Sequence, residues 1–418
     1  MFYNILTQDI RTIGQARLLA PACPAMLDHT GGVGADTLKG LDALFCEDAV
    51  RAIAEWTMPS GLPAGRNRDD RWRVASSLQK AIRRGDMLAA MKAAHLGHGI
   101  DAPYFLKRLV VIAVEDVMLG NLRAVAWTLA LAGHSASRKV GGEAKTLVWL
   151  AAQLASGCRD RSACNLVVAV DLDRSLHGLM QAWAGLPGQQ LAEAASDLSR
   201  PIAERMLAGW LLAGTRRFWN LNVPRWNDRP RWELMALMVK CRMPLLLYYI
   251  ADRAAIRGGG CMFVSLLPIW QEMQGDALDI QIDDSPIPTD PGLGALLSAA
   301  YDMHTREGQA ALKRFGKLAG VEHALKAVAP SGDRIGTLFE AAFIVEGGRL
   351  ASRISTPELD AIDERAKFLQ LEYYGLFDPS DQSILLGSVA KNLALLHDLR
   401  RDELRLRRPI AKDEEAGL

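Results

Sequence analysis

From Arg71 to Gly133 apolar residues recur at the spacing of one helix face. Val74, Leu78 and Ile82 form one run, and Leu88, Met91 and Leu96 another. Gly85-Asp86 separates them, with Asp86 placed to cap the second helix. Asp101-Ala102-Pro103 joins a cap to an early proline, a strong helix start. The helix it opens carries Leu106, Leu109, Val110 and Ala113. Gly120-Asn121 closes that helix and opens another through Val125, Trp127 and Leu131. Short helices joined by tight turns predict a compact helical domain.

Helical patterning continues along the chain. Residues 142–184 read as helical, apart from NLVVAVDL, an isolated run that suits a strand. Helices are expected over 187–198, 201–215, 232–254, 293–318, 320–328, 334–346, 357–373 and 380–400, the 357 helix behind a Ser355-Thr356 cap. RRFWNLNVPRWNDRPRW and DIQIDDSPIPTDPGLG read as loops, and Gly258-Gly259-Gly260 as a tight turn. The expected fold class is all-α. The expected organisation is an N-terminal segment over 1–70, a helical domain over 71–140 and a helical region with the Trp/Arg loop over 141–275. An acidic loop over 276–292, a C-terminal helical region over 293–400 and a charged tail over 401–418 follow.

The chain has 418 residues, enough for two or three domains. Its net charge of +1 neither demands nor excludes nucleic acid. The distribution says more: residues 61–140 hold 13 Lys/Arg against 6 Asp/Glu. The stretch 270–300 reverses the sign with Glu272, Asp276, Asp279, Asp283, Asp284 and Asp290 and no base. This acidic stretch is either a solvated loop or a regulator of access to the basic domain. The six cysteines form no C-x-x-C pair and read as thiols of a reducing compartment. No secretory signal is evident at the start, and no apolar run reaches membrane-spanning length, so a cytoplasmic protein is expected.

Five patterns could carry chemistry or binding. HTGGVGADTLKG lacks the lysine of a phosphate loop, since Ala35-Asp36 follow Gly34, and nucleotide hydrolysis is not expected there. His95 and His98 have no third ligand nearby in sequence, so no metal is expected. Glu115-Asp116 sits inside an apolar helix, either as a salt bridge to Lys80, Arg83, Arg84, Lys107 or Arg108, or as a catalytic carboxylate pair. Asp302, His304, Thr305 and Arg306 open a helix, where they could bind an anion or hold two domains together. The best nucleic-acid candidate is the loop with Arg216, Arg217, Trp219, Arg225, Trp226, Arg229, Arg231 and Trp232. Alternating guanidinium groups and indoles suit stacking on bases and pairing with phosphates. The same residues would equally pin a long loop to the core.

The segment from Ser76 to Ala130 also resembles the helical C-terminal region of replication-associated recombination ATPases, relatives of the clamp-loader AAA+ family. The resemblance rests on Ser76-Ser77-Leu78-Gln79-Lys80-Ala81-Ile82-Arg83-Arg84-Gly85-Asp86, then Ala89 to Ala94, and then Asp101-Ala102-Pro103 with Leu106-Lys107-Arg108-Leu109-Val110. It continues in Ala113-Val114-Glu115-Asp116-Val117 and in Leu119 to Val125. Two positions depart: the family's tryptophan in the second helix is missing, and Val114 stands for its serine. The ATPase region is absent. The resemblance implies a collar-like assembly fold in which Lys80, Arg83, Arg108, Glu115 and Asp116 are stabilising polar residues. It does not carry over ATP binding.

These readings converge on a non-enzymatic accessory protein of DNA replication or repair, of the kind found in phage or plasmid systems. It would need no cofactor, and would hold a polymerase, clamp or ATPase, or itself, with DNA contact left open. The alternatives are an enzyme acting on nucleic acid through Glu115/Asp116 or Asp302/His304, and a structural oligomer with no nucleic-acid role.

Overall fold

Helix boundaries in the 71–133 segment follow its caps. A computed structural model describes residues 18–63, 70–215, 232–274, 280–329 and 333–407. After α1 (Ala35–Glu55), α2 spans Arg71–Arg84; Asp70 accepts from Trp72 N at its start, and Gly85 ends it at φ 68°. Helix α3 (Met87–Ile112) begins with Asp86 accepting from Ala89 N. Asp101 leaves helical geometry at φ −163° and accepts from Tyr104 N at 3.1 Å, so Pro103 starts a fresh turn across a kink. The kink sets the Phe105 ring against Gly97, where a Cβ would lie 2.3 Å from it.

Helix α3 runs into a turn of π-helix over Ala113–Val117, and Asn121 then caps α4 (Leu122–Gly133). The short α5 (Ser135–Val140) leads to α6 (Glu143–Ser156). Helices α2 and α6 both pack on α3 and bury Leu78, Ile82, Phe105, Leu109, Leu147 and Leu150. The run NLVVAVDL is helical, within α7 (Ser162–Leu172), which corrects the strand reading. Its Leu166, Val167 and Val170 are buried, and a short apolar run alone does not distinguish a buried helix from a strand.

The chain continues through α8 (His177–Trp183), α9 (Gly188–Ser196) and α10 (Ile202–Ala213). The helix expected over 232–254 is two: α11 (Trp232–Lys240) and α12 (Leu245–Arg257). Arg242 at φ 57° and Pro244, which cannot donate to a continuing helix, make the break. Helix α13 (Leu266–Glu272) completes this part.

The helix expected from 293 begins only at α14 (Arg306–Phe315). Before it, Asp290 accepts from the backbone of Gly292, Ser298 and Ala299 and keeps that stretch out of an α-helix, with a single 3₁₀ turn at Ser298–Ala300. Then come α15 (Ala319–Val328), α16 (Arg334–Ala342) and a second π-turn, Phe343–Gly347. Helix α17 (Pro357–Tyr373) starts at Thr356, as the sequence predicts. The expected 380–400 helix is interrupted at Asn392, giving α18 (Pro379–Lys391) and α19 (Leu393–Arg407).

The architecture is all-α, with nineteen α-helices among the described residues and one small antiparallel ribbon. There are two cores. The larger gathers residues from Leu18 to Met273 together with Leu297, Ile354, Leu359 and Ile362. The smaller is built from Ala311 to Leu396, including Leu371. Helix α17 thus contributes to both lobes. In the ribbon β1 (Gln281–Asp283) pairs with β2 (Arg353–Ser355), register Ile282 to Ile354.

The ribbon accounts for part of the acidic loop. Asp283 accepts from Arg353 Nε and Asp284 from Ser352 Oγ, so these carboxylates tie the ribbon together. The loop does meet the basic helix α2, but through the Pro288 carbonyl, which accepts from Arg84 at 2.6 Å. No described helix is long and apolar enough to cross a membrane.

Candidate functional site in the interlobe cleft

Helix α2 presents Trp72, Ala75, Ser76, Gln79, Lys80 and Arg83 along one stripe at helical spacing. Helix α3 and its π-turn present Tyr104, Arg108, Val111 and Glu115. Facing them, the C-terminal lobe brings Phe339, Phe343, Glu346 and Arg400. Together with Arg161 and the Asp302–His304 turn they enclose a cleft of about 640 Å³, a size suited to a small-molecule ligand.

The deep end is ionic. Asp116 is fully buried and accepts from Arg83 Nε at 2.8 Å and Gln79 Nε2 at 2.7 Å, with Arg161 Nε 3.3 Å away. Burial pushes its pKa up, but the Arg83 and Arg161 charges and the hydrogen bonds from Arg83 and Gln79 outweigh this and hold it below the usual carboxylate range. Glu115 accepts from the same Gln79 amide at 3.1 Å. Gln79 completes the relay by accepting from Arg108 through Oε1. On the facing wall Glu346 is also buried and accepts from Arg400 at 3.0 Å. Arg83 donates across the cleft to the Gly347 carbonyl at 2.8 Å, and both Arg83 and Arg161 lie over the Phe343 ring.

Both buried acids sit in π-turns, Asp116 in Ala113–Val117 and Glu346 in Phe343–Gly347. Such single turns are enriched at functional positions because the added residue re-aims side chains. The sequence gives no pattern that announces them.

The middle of the cleft is bridged by Lys80, which donates to Asp302 and to Ser76 Oγ, while Ser76 donates to Asp302 at 3.0 Å. Burial holds Lys80 below the ordinary lysine range despite the Asp302 charge. Burial raises the Asp302 carboxyl, but Lys80 overrides it and keeps it ionised. The lobes are therefore latched by a buried ion pair. Of the other residues in that turn, His304 is exposed at the rim, Thr305 caps α14 by accepting from Gly308 N, and Arg306 faces solvent.

Cation chemistry in the cleft is incompletely answered by the chain. Lys80, Arg83, Arg161 and Arg400 each have a carboxylate within 4 Å, but among the described residues Arg108 has none and meets the Gln79 amide. Among the described residues, Arg108, Arg161 and Arg400 each keep a buried Nε without a hydrogen-bond acceptor. Burying such a donor unpaired is costly, which marks the place as one that expects a partner. Two groups near Arg161 have pKa values raised by burial. Burial raises the Cys164 thiol to about 11, so it stays protonated, and Arg161 beside it only partly opposes that. Burial lifts Glu340 to about 7 against the pull of Arg161.

The structure brings together two sets that the sequence keeps apart: Lys80, Arg83, Arg108, Glu115 and Asp116, and Asp302 with His304. Sequence reasoning missed Trp72, Gln79, Arg161, Phe343, Glu346 and Arg400. The one local hint was the charged Arg159-Asp160-Arg161 between two apolar helices. Of the Trp/Arg loop, Arg216, Arg217, Trp219, Arg225, Trp226, Arg229 and Arg231 lie outside the described residues; Trp232 opens α11 and is 57% exposed. His95 bonds the Pro63 carbonyl at 2.8 Å, and among the described residues no cluster of three His, Cys, Asp or Glu is placed to hold a metal.

Comparison of the chain with protein-family models, curated proteins and solved structures gave no match, so the reading of the site rests on its own geometry.

Proposed function

We propose that the protein binds a phosphate-bearing ligand in the interlobe cleft. The observation that carries this is Arg108, a cation of the cleft that among the described residues has no carboxylate partner and a buried Nε lacking an acceptor. Phosphate fits better than carboxylate. Donors approach the cleft from α2, α3, the segment before α7 and α19, and a phosphate offers acceptor oxygens in several directions where a carboxylate offers two in one plane. Glu115 and Asp116 then act as orienting groups for Gln79, Arg108 and Arg161.

Thermal unfolding with and without pyrophosphate tests this. A ligand at about 100 times its Kd adds about 2.7 kcal/mol of stability, a rise of several degrees. The wild type is expected to show that rise, and Arg108→Gln to lose most of it. No rise with millimolar pyrophosphate, or a rise untouched by Arg108→Gln, overturns the reading.

A second reading keeps the protein as a replication or repair accessory factor that assembles with a polymerase, clamp or ATPase and touches DNA. What favours it is the resemblance of 76–130 together with the exposed Trp232 beside residues 216–231. It expects DNA binding that weakens with salt and is lost in a Trp219→Ala/Arg225→Ala/Trp226→Ala variant. Salt-insensitive binding, or none at low salt, removes direct DNA contact.

A further inference from the structure

The aromatic end of the cleft narrows the ligand. Trp72 lines the cleft at the opposite end of the α2 stripe from Arg83, eleven residues or about 16 Å along the helix axis. It is 58% exposed, although it sits in the first turn of a well-capped helix with its N–H bonded to Asp70 at 2.9 Å. Its ring is held. Tyr104 meets it edge-on, centroids 6.1 Å apart and planes at 76°, and the Arg71 guanidinium lies 5.3 Å from the Trp72 ring and 5.2 Å from that of Tyr104. Tyr104 in turn stands edge-on to the buried Phe105 at 5.3 Å. A large ring exposed to water yet fixed in orientation is a stacking platform in wait of a flat partner.

One turn further along α3 from Tyr104 stands Arg108, which has no carboxylate partner among the described residues, and one turn further along α2 from Trp72 stands Ser76. The cleft thus presents, in order, the flat face of Trp72, Ser76 tied into the Lys80–Asp302 pair, the Gln79 amide, and guanidinium groups. We propose that its ligand is a nucleoside phosphate, with the base on Trp72 and the phosphates toward Arg108 and Arg161. The inference rests on the reading of the cleft as a phosphate site and adds the nucleoside to it. A free nucleotide and the 5′-phosphorylated end of a single strand share this chemistry.

Calorimetric titration of the full chain with pyrophosphate, with ADP, GDP, CDP and UDP, and with a 5′-phosphorylated oligothymidylate tests it. The wild type is expected to bind its best diphosphate nucleoside about tenfold tighter than pyrophosphate. Trp72→Ala is expected to abolish that advantage and leave pyrophosphate affinity unchanged, while Trp72→Phe retains most of it. The side chain is exposed, so the variant keeps its fold. Either a nucleotide or a phosphorylated strand binding the tighter supports the proposal and names the source. Equal binding of pyrophosphate and all nucleotides, or an equal loss of both in Trp72→Ala, overturns it while leaving the phosphate site standing. No binding of any probe removes the phosphate site and the nucleoside with it.

Discussion

The molecule buries the same ionic motif twice and finishes it in two different ways. Asp42 on α1 and Asp116 after α3 are both carboxylates shielded from solvent, and each faces two arginines and a neutral donor. Asp42 accepts from Tyr249 at 2.8 Å, from Arg253 Nε at 3.1 Å and from Arg257 at 2.7 Å. Arg253 also reaches Asp252, and Arg257 donates to the Leu129 carbonyl, so among the described residues no buried nitrogen of either arginine lacks a partner. That cluster is closed and pins α1 to α12. The Asp116 cluster holds Arg161 Nε 3.3 Å from its carboxylate without a hydrogen bond, and its neutral donor, Gln79, accepts in turn from Arg108, an arginine beside a large cleft. What separates a strut from a site here is not the residue types but whether the donors are used up.

Removing the acid from each cluster gives the largest expected effect. Asp42→Asn removes the carboxylate shared by two buried guanidinium groups that have no cleft to turn into, and is expected to cost about 3–5 kcal/mol. Asp116→Asn should cost about 1–3 kcal/mol, because Arg83 and Arg161 can turn toward the cleft. Urea unfolding of both variants measures this, and equal losses would erase the distinction. Only Asp116→Asn should also change pyrophosphate affinity, raising it as the freed guanidinium groups turn toward the cleft.

Next in size is a pH effect beside the open cluster. Glu340 titrates near 7 in the folded chain and near its ordinary value of about 4.3 when unfolded. The folded state therefore holds the extra proton between these values. Stability from this group is fully present below about pH 4 and is lost as pH rises through 7. Glu340→Gln should remove the loss and make the chain about 2 kcal/mol more stable than wild type at pH 8, with little difference at pH 4.5. Unfolding curves at the two pH values decide it; a variant equally stabilised at both would mean the acid is not neutral in the fold.

The smallest change sharpens the comparison from the other side. Arg161→Gln leaves Asp116 paired with Arg83 and should shift stability by within about 1 kcal/mol. It should lower pyrophosphate affinity about tenfold. Arg257→Gln is the control: a larger stability loss with unchanged affinity.

Local signals were legible in the sequence. Asp86, Asp101, Asn121 and Thr356 all cap helices where their spacing puts them. The partnership of Asp116 with Arg83 was also open to sequence reasoning, since both follow helix faces 33 residues apart. The breaks at Arg242–Pro244 and Asn392 were missed because apolar periodicity runs on through them, although Pro244 was a visible warning. The cleft itself was not legible. Lys80 meets Asp302 across 222 residues and Arg83 meets Gly347 across 264, and no helix period reports on pairings set by how lobes dock. A single sequence shows that Glu115-Asp116 must find partners, but not that one of them is Arg161.

The two π-turns carry a consequence for how this chain tolerates change in length. Each holds one residue more than an α-turn would, and that surplus sets the direction of the acid beyond it. Deleting Val114 or Val345 would restore a plain helix, keep every charged residue of the cleft, and swing Asp116 or Glu346 by about 100° away from its arginines. Divergent copies of this chain should therefore accept many substitutions at these two segments and almost no insertions or deletions.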